Sequence, residues 1–253
     1  MKVIIVKNHE EMSMTAAAMI NAQIRENPES ILGLATGGTP ERTYELLIET
    51  NKMSHTDWSN IKTFNLDEYI GISKNHPMSY FTYMNEKLFN HVNVNKANTN
   101  VPSGEGDIIA NAKAYDEKIA SMGGIDLQIL GIGENAHIAF NEPGSKEDSA
   151  TGIVNLTEST IKANSRYFSS ENDVPKTAIT MGIGSIMKAK KIILLASGDK
   201  KAHAIRSTVE GSISELVPSS FLQNHPDVTL IVDEAAGKLL KQFRETAVCM
   251  VNN

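Results

Sequence analysis

Six short apolar runs recur along the chain and are separated by longer stretches with helical periodicity. Several of the runs are apolar at every position and rich in Ile, Leu and Val, which is typical of strands buried on both faces of a parallel sheet. Strands that alternate with helices predict an open α/β sheet with right-handed crossovers. The predicted strands are Val3–Val6, Ile31–Ala35, Ile61–Phe64, Leu127–Gly131, Ile192–Ala196 and Val228–Val232.

The stretches between the runs predict six helices and one polar segment. The length of 253 residues fits one large α/β domain or two small ones. No repeat or linker divides the chain, so we predict a single domain over residues 1–253. Residues 157–176 are polar and lack a core-facing stripe, which fits either a mobile flap over a site or a surface excursion. The predicted helices are Glu10–Arg25, Glu41–Asn51, Met78–His91, Ile108–Ser121, Lys200–Val209 and Glu234–Arg244.

Composition narrows the class of function. The net charge of −6 gives no electrostatic support to a nucleic-acid or membrane-surface role, although a small anionic metabolite could still bind through local charge. The first apolar run has only four residues, too few for a membrane span. A single cysteine, Cys249, allows neither an internal disulfide nor a cysteine-based metal cluster, and it fits a reducing cytoplasm. No recognised metal-ligand spacing is present, so we predict no catalytic metal.

The loop after the second run is rich in glycine. Ligands of open α/β sheets bind at the carboxyl ends of the strands, so this loop is a candidate site. It reads Thr36, Gly37, Gly38 and Thr39, with Thr39 as a predicted helix cap and Pro40 at the first helical position. Exposed N–H groups at a helix N-terminus favour a phosphate. A plain strand-to-helix turn is the alternative.

Two acids, Asp67 and Glu68, follow the third run. Because consecutive residues point apart, we expect one acid in the site and the other in a structural role. A helix cap or a surface charge is the alternative for either. An aspartate is expected to be ionised at working pH without tuning, which suits a general base.

The fourth run leads into the densest segment, a Gly-rich turn that carries His137. Glu142, five residues on, could fold back and hold the imidazole, and a histidine held by an acid is a usable proton shuttle. A buried histidine satisfied by the backbone is the alternative. Two bases, Arg166 and Lys201, could clamp a phosphate, or each could be a solvated surface charge.

At these residues the chain resembles the glucosamine-6-phosphate deaminase family. The matching segments follow the family's order and cover nearly the whole chain. They are LATGGTPERTYELL, FNLDEYIGI, HPMSYFTYM, GIGENAHIAFNEPGS, ANSRYF, VPKTAITMGIGSIMKAKKIILLASGDKKAHAI and VPSSFLQNHPDVTLIVDEAA. The resemblance implies a Rossmann-like, open, mostly parallel sheet with helices on both faces. It also implies a lid that matches residues 157–176.

The resemblance also implies an activity and its residues. The reaction is the isomerisation and deamination of glucosamine 6-phosphate to fructose 6-phosphate and ammonia, without a cofactor. Asp67 resembles the base that moves a proton between C2 and C1, and His137, with Glu142, resembles the group that opens the ring. Asn135 stands where the family pattern has aspartate, and its part in ring opening is open. Thr36, Gly37, Gly38, Thr39, Arg166 and Lys201 resemble the phosphate site.

Two rival functions share part of this pattern. A 6-phosphogluconolactonase has a Gly-rich turn and a Gly-x-Gly…His segment, but that reading explains neither the LDEY motif nor Glu142. A sugar-phosphate sensor that binds without turnover would be expected to have lost its acid–base residues, and this chain keeps Asp67 and His137. A homo-oligomer is compatible with the sequence.

Overall fold

The computed structural model describes residues 1–53, 55–165, 168, 170 and 173–241. Seven strands form one parallel sheet in the order β1-β10-β9-β6-β2-β3-β5, and three form a small antiparallel sheet in the order β4-β8-β7. The strands are β1 (Lys2–Val6), β2 (Ile31–Leu34), β3 (Lys62–Asn65), β4 (Asp67–Tyr69), β5 (Thr99–Asn100), β6 (Leu127–Leu130), β7 (Gly152–Asn155), β8 (Thr177–Thr180), β9 (Lys191–Ala196) and β10 (Val228–Asp233).

Helices cover both faces of the large sheet, as the apolar runs predict. In β9, Ile192 and Leu194 belong to one apolar cluster, whereas Ile193 and Leu195 belong to another on the opposite face. This alternation confirms the predicted open α/β fold with a doubly covered parallel sheet. The helices are α1 (His9–Glu26), α2 (Glu41–Lys52), α3 (Tyr80–Met84), α4 (Ile108–Ser121), α5 (Glu158–Asn164), α6 (Ile183–Ile186), α7 (Ala202–Glu210) and α8 (Glu234–Gly237).

The strand order places a cleft at one point of the sheet. From β2 the chain builds outward through β3 to β5, and it then returns to β6 on the other side of β2 and builds the opposite way. The loops after β2 and β6 therefore diverge at the boundary between them. Ligands of open α/β sheets bind at such a reversal, beyond the carboxyl ends of the strands.

The small antiparallel sheet is a feature that the apolar pattern does not predict. Its strands are short, and β4 is the polar segment DEY, directly after β3. The pairing of Asp67 with Thr180 joins residues that are far apart in sequence. Sequence patterns over neighbouring residues carry no signal for this kind of pairing.

Three local predictions are wrong. The predicted helix Met78–His91 is a short α3, capped by Ser79, that continues as a π-helical turn over Asn85–Phe89. There, the Asn85 side chain donates to the Phe81 carbonyl and competes with regular helical bonding. The predicted helix Glu234–Arg244 is interrupted: α8 ends at Gly237, and glycine is a poor helix former. Residues 242–244 lie outside the described residues. Thr39 does not cap α2, because the helix begins one residue later with Pro40 at the N-cap position.

In the described part of the chain, none of the helices has the length and apolarity needed to cross a membrane.

Candidate active site

A cavity of about 390 Å³ lies where the loops after β2 and β6 diverge. Its volume is in the range of small-molecule sites. The Thr36–Thr39 loop, Asp67, Asn135, His137 and Lys201 all line it, so four separate segments of the predicted site meet in one place. The parallel sheet brings these segments together, because each of them follows the carboxyl end of a strand.

Asp67 and Glu68 have different environments, as their adjacency predicts. Asp67 faces the cavity at 6% exposure, and among the described residues none donates a hydrogen bond to its carboxylate. Burial, together with the charge of Glu68, raises the pKa of Asp67 to about 8. The expectation that this aspartate is ionised without tuning is therefore wrong for the unliganded cavity, because desolvation disfavours its charged form.

Glu68 points into the protein and holds the start of α3. Its carboxylate accepts hydrogen bonds from the backbone N–H groups of Tyr80 (2.9 Å) and Phe81 (3.0 Å), as well as from Tyr69. The N–H groups of Tyr80 and Phe81 belong to the first turn of α3 and have no helical acceptors, and a carboxylate there also complements the helix dipole. Glu68 is thus structural, and Asp67 is the acid that remains available in the cavity.

His137 lies in a network that joins it to Glu142 through Asn135. Its Nδ1 is 2.7 Å from Oδ1 of Asn135 and 3.4 Å from Oε2 of Glu142. Asn135 Nδ2 donates in turn to Glu142 Oε2 at 2.6 Å. Since Oδ1 of Asn135 can only accept, Nδ1 is the donor in this bond, and in the neutral ring Nε2 is then the acceptor. The described residues leave Nε2 without a hydrogen bond, so it is available to a ligand.

Glu142 is held as an anion. Burial would raise its pKa, but hydrogen bonds from His137, Thr160 and Asn135 outweigh burial and lower the pKa to about 2. Thr160 donates to Oε1 at 2.5 Å and Thr157 at 3.1 Å, both from the start of the predicted lid. Glu142 therefore provides a fixed carboxylate that holds Asn135 and, through it, the imidazole of His137.

The turn that carries His137 is tight and contorted. Ala136 and Ala139 both adopt left-handed φ angles, 67° and 51°, which are unusual for residues other than glycine. The Gly133 N–H donates to the His137 carbonyl at 2.9 Å, and a methyl group on Gly133 would lie 2.3 Å from the imidazole Nδ1. Close approach of the ring to the backbone is therefore what requires glycine at position 133.

Of the two predicted bases, one can be placed. Lys201 follows β9 at the start of α7, and its Nζ donates to the Ile132 carbonyl at 2.7 Å while the side chain lines the cavity. Arg166 lies outside the described residues, as does part of the predicted lid at 157–176. The described part of that segment begins with α5, which Thr157 caps.

The cavity contains residues that sequence reasoning missed. Tyr80, Phe140, Thr160 and Asn164 line it beside the predicted residues. Tyr80 and Phe140 stack with ring centroids 6.2 Å apart and form an aromatic wall. Three of the four, Tyr80, Phe140 and Asn164, lie in segments that resemble the family, but the sequence alone assigned none of them to the site. Their nearness to Asp67 comes from tertiary contacts.

Comparisons with known proteins agree with the geometry. Residues 7–231 match the family model described as glucosamine-6-phosphate isomerases/6-phosphogluconolactonase. A curated protein of Thermoanaerobacter pseudethanolicus named glucosamine-6-phosphate deaminase is 53% identical over 241 residues, covering 95% of each chain. Another protein of that name, from Clostridium perfringens, is 51% identical over 242 residues and covers 95% of this chain and 100% of its own.

Solved structures have the same fold. A structure described as a monomeric glucosamine-6-phosphate deaminase has a TM-score of 0.92 and 46% identity, covering 94% of this chain and 100% of its own. The 6-phosphogluconolactonase of Trypanosoma cruzi has a TM-score of 0.76 at 21% identity, with 95% and 97% covered. The second likeness is one of fold alone.

Proposed function

The chain belongs to the glucosamine-6-phosphate isomerase/6-phosphogluconolactonase family, and from that premise we propose that it converts glucosamine 6-phosphate to fructose 6-phosphate and ammonia. The observation that carries the proposal is the meeting of Asp67 and His137 in one cavity, each with an available proton acceptor. The Gly-rich loop and Lys201 lie in the same cavity and supply groups that suit a phosphate.

The residues suit the chemical steps. His137 moves a proton between the ring oxygen and the C1 hydroxyl, which opens the pyranose, and Glu142 and Asn135 hold the imidazole meanwhile. Asp67 in its ionised form takes the proton from C2 and returns it to C1, while the amine loses a proton and the C1 oxygen gains one. The amine-bearing C2 thereby becomes an imine, water adds to C2, and the C2–N bond breaks to release ammonia and the ketose. Positioned acid–base groups of this kind contribute about 10²–10⁴-fold each.

The rival hydrolysis of a lactone makes less use of these residues. Opening a lactone requires an activated water but no proton transfer between two carbons, so it needs one general base where the cavity offers two candidates, Asp67 and His137. The two deaminases named above are 51% and 53% identical to this chain, whereas the lactonase of Trypanosoma cruzi is 21% identical.

Ammonia release tests the function directly. The purified protein, without added cofactor, is incubated with glucosamine 6-phosphate, and ammonia and fructose 6-phosphate are measured together. We expect equal amounts of the two products. Hydrolysis of 6-phosphogluconolactone without ammonia release from the amino sugar would contradict the proposal and favour the lactonase.

Replacement of Lys201 by alanine is expected to lower kcat/KM for glucosamine 6-phosphate by about 10- to 100-fold, because a charge-assisted hydrogen bond is worth about 1.5–3 kcal/mol. Arg166→Ala is expected to have a similar effect. Lys200→Ala is the matched control: the Lys200 side chain is 81% exposed and pairs with Glu134 at 3.7 Å. Equal kcat/KM values for Lys201→Ala and Lys200→Ala would show that Lys201 does not bind the phosphate.

The pH dependence follows from the raised pKa of Asp67. A general base must be deprotonated, and the deprotonated fraction of Asp67 grows as the pH rises through about 8. We therefore expect kcat/KM, which reports on the free enzyme, to increase across that pH and then level off. Thermal midpoints measured at each pH serve as the control for unfolding. An acidic limb centred below pH 6 would assign the limiting step to another group.

Several sequence-based expectations stay proposals. We propose a single domain over residues 1–253, a lid over residues 157–176 and a cytoplasmic location, the last supported by the single cysteine, Cys249. A homo-oligomer is a further prediction, and the 46%-identical neighbour is described as monomeric. Light scattering on the purified protein distinguishes the two states.

A further inference from the structure

The glycines of the Thr36–Thr39 loop allow several backbone conformations, so contacts from outside the loop must select one of them. Gly37 has φ of +90°, and Gly38 follows it. Glycine populates several backbone conformations at little steric cost, so the peptide unit between these residues could turn either way. A loop that binds an anion through its N–H groups needs one orientation before the ligand arrives.

Two tyrosines supply that orientation from outside the loop. The Tyr44 hydroxyl donates to the Ala35 carbonyl at 2.5 Å, and the Tyr83 hydroxyl donates to the Gly37 carbonyl at 2.7 Å. In a trans peptide the C=O and N–H bonds point in opposite directions. The two bonds therefore direct the N–H groups of Thr36 and Gly38 away from the tyrosines, and both residues line the cavity.

The N–H groups so oriented are available for binding. Within the described part of the chain, the backbone N–H groups of Thr36, Gly37, Gly38 and Thr39 donate to no other residue. N–H groups in folded proteins are nearly always paired with protein, water or ligand. An anion that accepts from several N–H groups at once matches this arrangement.

We propose that Tyr83 is a positioning residue for the substrate's phosphate group, acting through the Gly37 carbonyl. The inference rests on the proposed function, which places the phosphate at this loop. Glu68 fixes the start of α3 through Tyr80 and Phe81, and α3 carries Tyr83 to the loop. The LDEY motif thereby has two roles: Asp67 faces the cavity, and Glu68 supports the helix that orients the Thr36–Thr39 loop.

Tyr83→Phe tests the proposal, because it removes the hydroxyl and keeps the ring. We expect KM for glucosamine 6-phosphate to rise about tenfold, with kcat changed less than twofold. The dissociation constant of inorganic phosphate, measured by calorimetry, should rise by the same factor, which corresponds to about 1.4 kcal/mol. Thr82→Val is the matched control, since Thr82 on the same helix donates to the Lys74 carbonyl at 3.1 Å and does not line the cavity.

The outcomes separate this inference from the proposed function. Unchanged phosphate affinity in Tyr83→Phe, or a fall in kcat at constant KM, would overturn the role of Tyr83. An equal loss of phosphate affinity in Thr82→Val would also overturn it, because the effect would then come from α3 in general. A parent protein that binds phosphate in a Tyr83-dependent way yet releases no ammonia would contradict the deamination and leave the positioning role standing.

Discussion

Asp67→Asn is expected to lower kcat by at least about a thousandfold, within the range that positioned acid–base catalysis contributes. The amide keeps the shape of the side chain but cannot take the C2 proton. The buried position also favours the change structurally, since Asp67 is 6% exposed and a neutral amide avoids the cost of desolvating a charge. The substrate should therefore still bind, with an affinity close to that of the parent.

The measurement compares steady-state turnover with binding of a product analogue. Asp107→Asn is the matched control: Asp107 caps α4 through the Ala110 N–H, and asparagine caps a helix about as well. Turnover of Asp67→Asn within tenfold of the parent would show that another group moves the proton. Loss of analogue binding would instead assign Asp67 to substrate affinity.

Gly133→Ala is expected to reduce kcat by about a hundredfold, the size of effect that a displacement of about 1 Å causes at a catalytic group. The added methyl would lie 2.3 Å from Nδ1 and 2.7 Å from Cγ of His137, so the imidazole must move. Movement of the ring would break its 2.7 Å contact with Asn135 and misplace Nε2 in the cavity.

A matched glycine separates this effect from the general cost of the substitution. At Gly152 a methyl group would meet only the Ala150 carbonyl, at an ordinary 3.8 Å. Gly152→Ala should therefore keep kcat within about twofold, and thermal unfolding of both variants checks that they fold. A kcat of Gly133→Ala near that of Gly152→Ala would mean that the precise position of His137 does not limit the reaction.

The fold class follows from the sequence because a parallel sheet covered on both faces requires continuous apolar runs. Six runs predicted six strands of the seven-stranded sheet, with ends displaced by at most one residue. The missing strand, β5, has two residues, Thr99 and Asn100, which are too few for a pattern. The loops at the carboxyl ends could be identified as the site for the same reason, since parallel strands bring those ends to one edge.

Only the tertiary structure decided what the residues in those loops face. The adjacency of Asp67 and Glu68 predicted different roles for the two acids, but the assignment depends on the pairing of β4 with β8, more than a hundred residues away. Burial and the neighbouring charge of Glu68 raise the pKa of Asp67 to about 8, which reverses the expectation drawn from an isolated aspartate.

The contacts that support the cavity could likewise not be predicted from the sequence. The bond from Tyr83 to Gly37 joins residues 46 positions apart, and the sequence assigned Tyr83 no role. Local patterns determined the strands, the helices and the glycine turns, because these depend on hydrophobic periodicity and backbone freedom among neighbouring residues. Burial, protonation and the orientation of peptide groups depend on contacts between distant segments. Only the packing of the two sheets and α3 around one cavity determines them.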